Sequence, residues 1–313
     1  MRIRPTVESD LDRVLSCTVT APVSWADPDR YRRFLADGSY RPAHTWIAED
    51  ADGRLLARAV WWTFPDGDRP LALDCVWVDD GVADPTALAA ELLTAAHAAF
   101  PGGGLPEFHI FLPPAWREDA AVRAAVGWRR EVAARAGLTG ELERLRYEWT
   151  PGGPVPEPTG RLVFTEAGDE EFTEVFRRVA VDSLDDDTRR GLLRLDAQAQ
   201  AEETLADYLR MPGDRAWWRL ARTPGGELAG FAIPSANNGG PVVGYLGVLP
   251  ELRGRGLVDD LLGEITRSHA ARGAVRIGAD TDAGNGPMAA AFERAGYRTF
   301  GVRLVLSGPA GAS

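Results

Sequence analysis

The sequence predicts a two-domain α/β protein whose halves repeat one order of strands and helices. Three observations carry that reading. The chain has 313 residues, and domains of roughly 100–200 residues leave room for two. The run Thr150-Pro-Gly-Gly-Pro-Val-Pro-Glu-Pro-Thr-Gly160 suits neither a helix nor a central strand, and it falls near the middle. The halves also overlay without gaps across a hairpin. Trp46 meets Trp218, Gly53 meets Gly225, Leu56 meets Leu228 and Ala57 meets Ala229, as an internal duplication would leave them. The expected division is 1–150, a linker at 151–160, and 161–313.

The first half opens with a short strand near Ile3 and a helix whose acidic residues, Glu8 and Asp10, lie at its start. Strands follow at 45–49 and 55–64, joined by the turn Asp50-Ala-Asp-Gly53, and another at 71–78. A helix over 85–100 has Pro at its first turn and Gly beyond its end. A strand at 108–112, a helix over 119–136 and a strand at 142–149 complete this half. The second half reads as a strand at 162–166, a helix over 170–181 and one long amphipathic helical region over 188–209. A hairpin of 217–221 and 228–234 turns at Pro224-Gly-Gly226. A buried strand follows at 242–249, then a helix at 257–272, a strand at 275–279, a helix at 287–295 and a last strand at 299–306.

Composition narrows the function. The formal charge is −11, so the chain lacks the overall basic balance that nucleic acids and anionic membranes require of a binder. Cys17 and Cys75 are the only cysteines, which argues against a secreted disulfide framework and for a cytoplasmic protein. Met-Arg-Ile-Arg-Pro-Thr at the start lacks the apolar run of a signal peptide, and no stretch of about 18 apolar residues occurs. His44, His97, His109 and His269 are scattered without metal-ligand spacing, so no metal is expected.

The chemistry concentrates in the segment from Gly244 to Leu262. An apolar strand runs into Pro250, which cannot donate to a ladder. Gly254 and Gly256 permit a tight turn, and a helix begins at Leu257. Free N–H groups at a helix start, with Arg253 and Arg255 beside them, suit a pyrophosphate. The P-loop's Gly-Lys-Ser/Thr is missing. The loop follows a β-hairpin late in its domain, unlike the first turn of a dinucleotide fold.

These residues resemble a known family. Val248-x-Pro250-x-x-Arg253-Gly254-x-Gly256 is similar to the acetyl-CoA signature of the GCN5-related N-acetyltransferase (GNAT) family. A second block, Asn285-Gly-Pro-Met-Ala-Ala-Ala-Phe-Glu-Arg-Ala-Gly296-Tyr297, follows after one helix and one strand. The resemblance covers about 161–306 and implies an acyl-CoA N-acyltransferase fold, a mixed, mostly antiparallel twisted sheet flanked by helices. It implies that 253–258 wraps the pyrophosphate of acetyl-CoA. Leu246, Gly247, Val248, Arg253, Gly254, Arg255, Gly256, Leu257, Val258 and Asn285 are the implied donor-binding residues. Val258 stands where the family has a small residue. The first half resembles the same fold without its site, because Asp79-Asp-Gly-Val-Ala-Asp-Pro85 stands where the loop belongs and carboxylates repel a pyrophosphate. The layout resembles the tandem-domain actinobacterial type of that family.

The implied reaction is direct attack of an amine on the thioester in a ternary complex. Asp280 and Asp282 are candidates for the base, or else a turn residue and a helix cap. The family's proton-donating Tyr is replaced by Phe292, which leaves Tyr245, Tyr297, water, or departure as the thiolate. Asp182 and Asp185, in the acidic stretch 182–187, either attract a cationic amine or form a solvated loop. The expected acceptor is a small-molecule amine, with neither nucleic acid nor membrane as partner, and the protein a monomer or homodimer. Competing readings are a non-catalytic acyl-CoA sensor or scaffold and a transferase using another acyl donor.

Overall fold

The computed structural model describes residues 1–17, 22–23, 27–102, 104–237 and 239–309. It divides into two compact units, Met1–Glu143 with Val302–Ser313, and Arg144–Gly301.

The first unit holds β1 (Arg2–Pro5), α1 (Leu11–Leu15), α2 (Pro28–Ala36), β2 (Thr45–Glu49), β3 (Leu55–Trp62), β4 (Ala72–Val78), α3 (Pro85–Ala99), β5 (Glu107–Leu112) and α4 (Ala120–Arg135). Its strands lie in the order β1-β2-β3-β4-β5. All pair antiparallel except β4 with β5. The core gathers Val14, Tyr31, Tyr40, Ile47, Val60 and Cys75. Helix α2 was not expected, because Pro-Asp-Arg-Tyr-Arg-Arg-Phe-Leu-Ala shows little apolar face. Its signals are at its start, where the Asp27 carboxylate accepts from the Asp29 and Arg30 N–H groups and Pro28 sits at the first turn.

Strand β6 (Gly140–Trp149) leads into the second unit. That unit holds β7 (Val163–Thr165), α5 (Asp169–Val179), α6 (Asp186–Arg194), α7 (Ala197–Arg210), β8 (Arg219–Arg222), β9 (Leu228–Asn237), β10 (Gly240–Val248), α8 (Leu257–Ala271), β11 (Ile277–Asp282), α9 (Gly286–Arg294) and the start of β12 (Arg298–Ser307). Here β7, β8, β9 and β10 pair antiparallel in sequence order, and β10 runs parallel to β11. The two units therefore repeat one pairing scheme. Tyr147, Leu262, Ile277 and Phe292 anchor one core cluster of this unit, and Phe172, Phe176, Trp218 and Phe231 another. The single helix expected over 188–209 is two helices, because Leu195 is extended and the Asp196 carboxylate caps α7.

Each unit completes its sheet with a strand from the other half of the sequence. In the second unit, residues 144–149 of β6 pair antiparallel with β11. In the first, residues 302–306 of β12 pair antiparallel with β5. The expected boundaries are corrected accordingly: the division falls at Glu143/Arg144, and the last residues return to the first unit. Nor is 151–160 a free linker. Trp149 Nε1 donates to the Pro154 carbonyl at 2.9 Å, and Arg267 donates to that of Pro156 at 2.7 Å. Among the described residues no helix is long and apolar enough to cross a membrane.

Candidate functional site

The site begins with a defect in pairing. Strand β10 meets β11 at Val242↔Gly278 alone, so its remaining length parts from that neighbour. On its other side the register against β9 jumps between Val243 and Tyr245, making Gly244 a β-bulge. Beyond the bulge the alternation can be read from one bond, Leu249 N–H to the Ala229 carbonyl at 2.9 Å. Leu249, Gly247 and Tyr245 therefore direct their backbone groups at β9. Leu246 and Val248 direct theirs into the gap beside β11. Gly247 is required by close approach, since a Cβ there would lie 2.4 Å from Val179 Cγ1.

The gap leads to the Gly-rich turn. Gly254 and Gly256 adopt φ of 76° and 71°, a region that a side chain makes costly. No side chain caps α8. Among the described residues the N–H groups of Gly254, Arg255, Gly256, Leu257 and Val258 donate to no carbonyl. They form the donor cluster expected of an anion cradle. Leu257 packs into the core behind the turn, and Val258 packs beside Phe292 and Leu262. Arg255 is exposed, and its carbonyl and that of Gly256 accept from Arg161, which also pairs with Asp260.

Arg253 departs from its expected place. Its guanidinium donates to the carbonyls of Val179 (2.7 Å), Val181 (2.9 Å), Asp182 (3.1 Å) and Val248 (3.2 Å). Its own N–H donates to Pro250. The reading of Arg253 as a charge facing phosphate is corrected to a residue that closes the end of α5 and shapes the turn. Asp182, whose carbonyl it holds, has φ of 50°.

The acidic stretch is ordered by capping and pairing. Asp185 caps α6 through the Thr188 N–H (2.8 Å) and hydroxyl (2.7 Å), so its carboxylate is held by the fold, not offered freely to an amine. Burial, then the neighbouring Asp187 charge, raise its carboxyl above the ordinary range. Asp187 pairs with Arg144 at 2.6 Å. Above this lies Tyr245, its ring 5.4 Å from that of Tyr208 and 4° from parallel. Burial pushes the Tyr245 phenol up to about 12, opposed by a hydrogen bond with Thr188.

Asp280 and Asp282 lie within β11, not beyond it. Asp282 is buried, receiving Arg144 Nε at 2.9 Å and the Asp186 N–H at 2.6 Å. It is an ion-pair partner, not a free base or a helix cap. Asn285 caps α9 instead, accepting from the Met288 N–H at 3.3 Å. Asp280 is paired with Arg146 at a looser 3.5 Å and stays partly exposed. Phe292 is buried and stacks on Tyr147. The Tyr297 hydroxyl bonds with that of Thr266 inside the core, which removes it from the chemistry. His269, near the end of α8, is buried and bonds to the Val242 carbonyl.

The equivalent turn of the first unit is closed by its own side chains. Asp84 accepts from the Ala87 N–H at 2.9 Å, Pro85 has no N–H, and Asp79 holds Arg54 and the Gly81 N–H. Sequence reasoning missed Tyr208, Arg144, Arg161 and Thr188. Of these only Arg161 lies next to a recognisable feature, the end of the Pro/Gly run; none belongs to a motif.

The description "Acetyltransferase (GNAT) family" matches residues 181–297. No curated protein matches the chain. Among solved structures, a GCN5-related N-acetyltransferase from Sphaerobacter thermophilus is 16% identical with a TM-score of 0.59, covering 97% of this chain and 94% of that one. A tandem GNAT protein from the clavulanic acid biosynthesis pathway is 16% identical with a TM-score of 0.51, covering 100% and 99%. A GNAT-family acetyltransferase from Colwellia psychrerythraea is 14% identical with a TM-score of 0.50, covering 98% and 100%. At such identities the likeness is one of fold. The matched segment lies wholly within the unit that carries the bulged strand, the Gly-rich turn and the uncapped helix, so it is this unit that is similar to the acetyltransferase (GNAT) family.

Proposed function

We propose that the second unit transfers an acetyl group from acetyl-CoA to a primary amine of a small molecule, by direct attack in a ternary complex. The observation that carries this reading is the row of undonated N–H groups from Gly254 to Val258 at the uncapped start of α8. In the bound complex they hold the pyrophosphate, with Arg255 adding charge. Pantetheine runs along the open edge of β10, where Leu246 and Val248 present backbone groups, and Asn285 marks the far side of the gap.

The amine nitrogen attacks the thioester carbonyl carbon, an oxyanion forms, and the carbon–sulfur bond breaks to release coenzyme A. The Leu246 N–H, fixed by the sheet, is the donor aimed at that oxyanion. The amine's proton leaves directly or through water, and Asp280 is the better placed of the β11 pair because it stays partly exposed. Tyr245 stacks flat on Tyr208 and forms a wall of the site, and coenzyme A departs as the thiolate or takes its proton from water or from the Tyr245 phenol. The exposed carboxylate of Asp182 contributes to the negative potential that draws a cationic amine. The first unit serves as structure, because its equivalent turn is capped internally. The expected setting is cytoplasmic, without metal, nucleic acid or membrane.

A second reading, an acyl-CoA-binding sensor, is favoured by Phe292 at the acid position and by the pairing of Asp280 and Asp282 with arginines. Calorimetry with acetyl-CoA, on the full chain and on Gly256→Glu, tests the donor site. One-to-one binding lost in the variant supports it, and no binding to the parent protein sinks it. Thiol release with a panel of primary amines then separates enzyme from sensor. A preference for a longer acyl-CoA in the same calorimetry would change the donor.

A further inference from the structure

The Gly244 bulge has a fixed partner outside the sheet. Its register jump leaves Gly244 without an opposite residue on β9, and the preceding pair, Val243↔Pro234, includes a residue with no N–H to donate. The Gly244 carbonyl accepts instead from the Tyr208 hydroxyl, at 3.0 Å, across 36 residues of sequence. The Tyr208 ring lies flat against Tyr245, one residue beyond the bulge, and edge-on to Trp218 at 6.5 Å. No side chain could replace this arrangement from within β10, because a Cβ on Gly244 would lie 2.6 Å from Ser235 Cβ and 2.8 Å from the Ile233 carbonyl.

A bulge re-aims every backbone group beyond it. In β10 that shift turns the Leu246 and Val248 N–H groups toward the gap beside β11. We infer that Tyr208 is a positioning residue for acyl transfer, whose hydroxyl holds the bulge and thereby aims the Leu246 N–H at the thioester carbonyl. The inference rests on the donor site proposed above. Burial raises the Tyr208 phenol well above its ordinary range, so the hydroxyl keeps its proton and donates at any pH where the protein works. Its ring also seals the acceptor side of the strand through the stack on Tyr245.

The test uses the full chain, acetyl-CoA labelled with carbon-13 at the thioester carbonyl, and infrared difference spectra. In the parent protein the bound carbonyl stretch moves below that of free acetyl-CoA, as a preorganised donor requires. Tyr208→Phe keeps the ring and removes the hydroxyl. Its expected spectrum loses about half of that downshift or more, while acetyl-CoA affinity falls less than about tenfold, because the pyrophosphate contacts are untouched. Replacing Tyr208 with 4-aminophenylalanine, which restores a donor at the same place, recovers the downshift. An unchanged carbonyl frequency in Tyr208→Phe overturns the inference. So does a general loss of folding or of acetyl-CoA binding in that variant, since either marks Tyr208 as structural only. Failure of the parent protein to bind acetyl-CoA is a different result, which refutes the donor site itself.

Discussion

The Arg253 guanidinium donates to the Val179 carbonyl at 2.7 Å, tying the signature turn to the last residue of α5. The same side chain holds Val181 and Asp182. Arg253→Ala leaves those carbonyls without their donor and is expected to cost roughly 1–3 kcal/mol of stability, measured by urea unfolding. Acetyl-CoA affinity falls less than in Gly256→Glu. Unaltered stability together with abolished binding would return Arg253 to the phosphates.

Asp282 is expected to matter for folding more than for proton transfer. Asp282→Asn removes the charge that faces Arg144 in a buried setting, although Asp187 still holds the guanidinium. The loss is expected at or below the low end of the roughly 3–5 kcal/mol seen when a buried pair is broken. Thermal unfolding measures it. The pH profile of amine acetylation keeps its shape; a rising limb lost in the variant would make Asp282 the base.

Glycine spacing in the paired strands is a packing requirement. A Cβ on Gly230 would lie 2.0 Å from the Gly247 carbonyl oxygen, which is backbone and cannot turn aside. Gly230→Ala is expected to abolish folding of the second unit. Gly247→Ala meets Val179 and Phe231 side chains instead and costs roughly 1–3 kcal/mol. Circular dichroism with urea titration separates the two, and equal effects would contradict the contact geometry.

Stability should fall below neutral pH through His269. Burial lowers this imidazole to about 4 in the folded protein, against an ordinary value of about 6.5. Between those values the unfolded chain binds the extra proton, so stability rises with pH, is fully present above about 6.5 and is lost progressively toward 4. Moving from pH 7 to pH 5 is expected to remove roughly 1–2 kcal/mol through this group. Urea midpoints of the parent protein and His269→Gln at both pH values check it. An equal slope in the two proteins would remove His269 as the cause.

The signature was legible because its parts are close in sequence. Pro250 ends a strand, Gly254 and Gly256 permit positive φ, and Leu257 starts a helix, each by a rule that acts within a few residues. The start of the helix at Pro85 was legible for the same reason. The charged helix Pro28–Ala36 and the break at Asp196 were missed because charged faces hide periodicity and a cap inside a helical run resembles a helical residue. Arg253 was misplaced because a motif names a residue type but not the direction of a long side chain.

By itself the sequence determined the repeated order of strands and helices, the Gly-rich turn, the start of α8 and the acidic run at the matching place in the first half. Only the tertiary structure decided that β6 pairs with β11 and the end of β12 with β5, that Arg144 engages Asp282, and that Tyr208 reaches Gly244. The physical reason is separation along the chain. Backbone propensity and turn chemistry are set by neighbouring residues, whereas strand partners and buried ion pairs are selected by packing between segments that the sequence alone does not bring together.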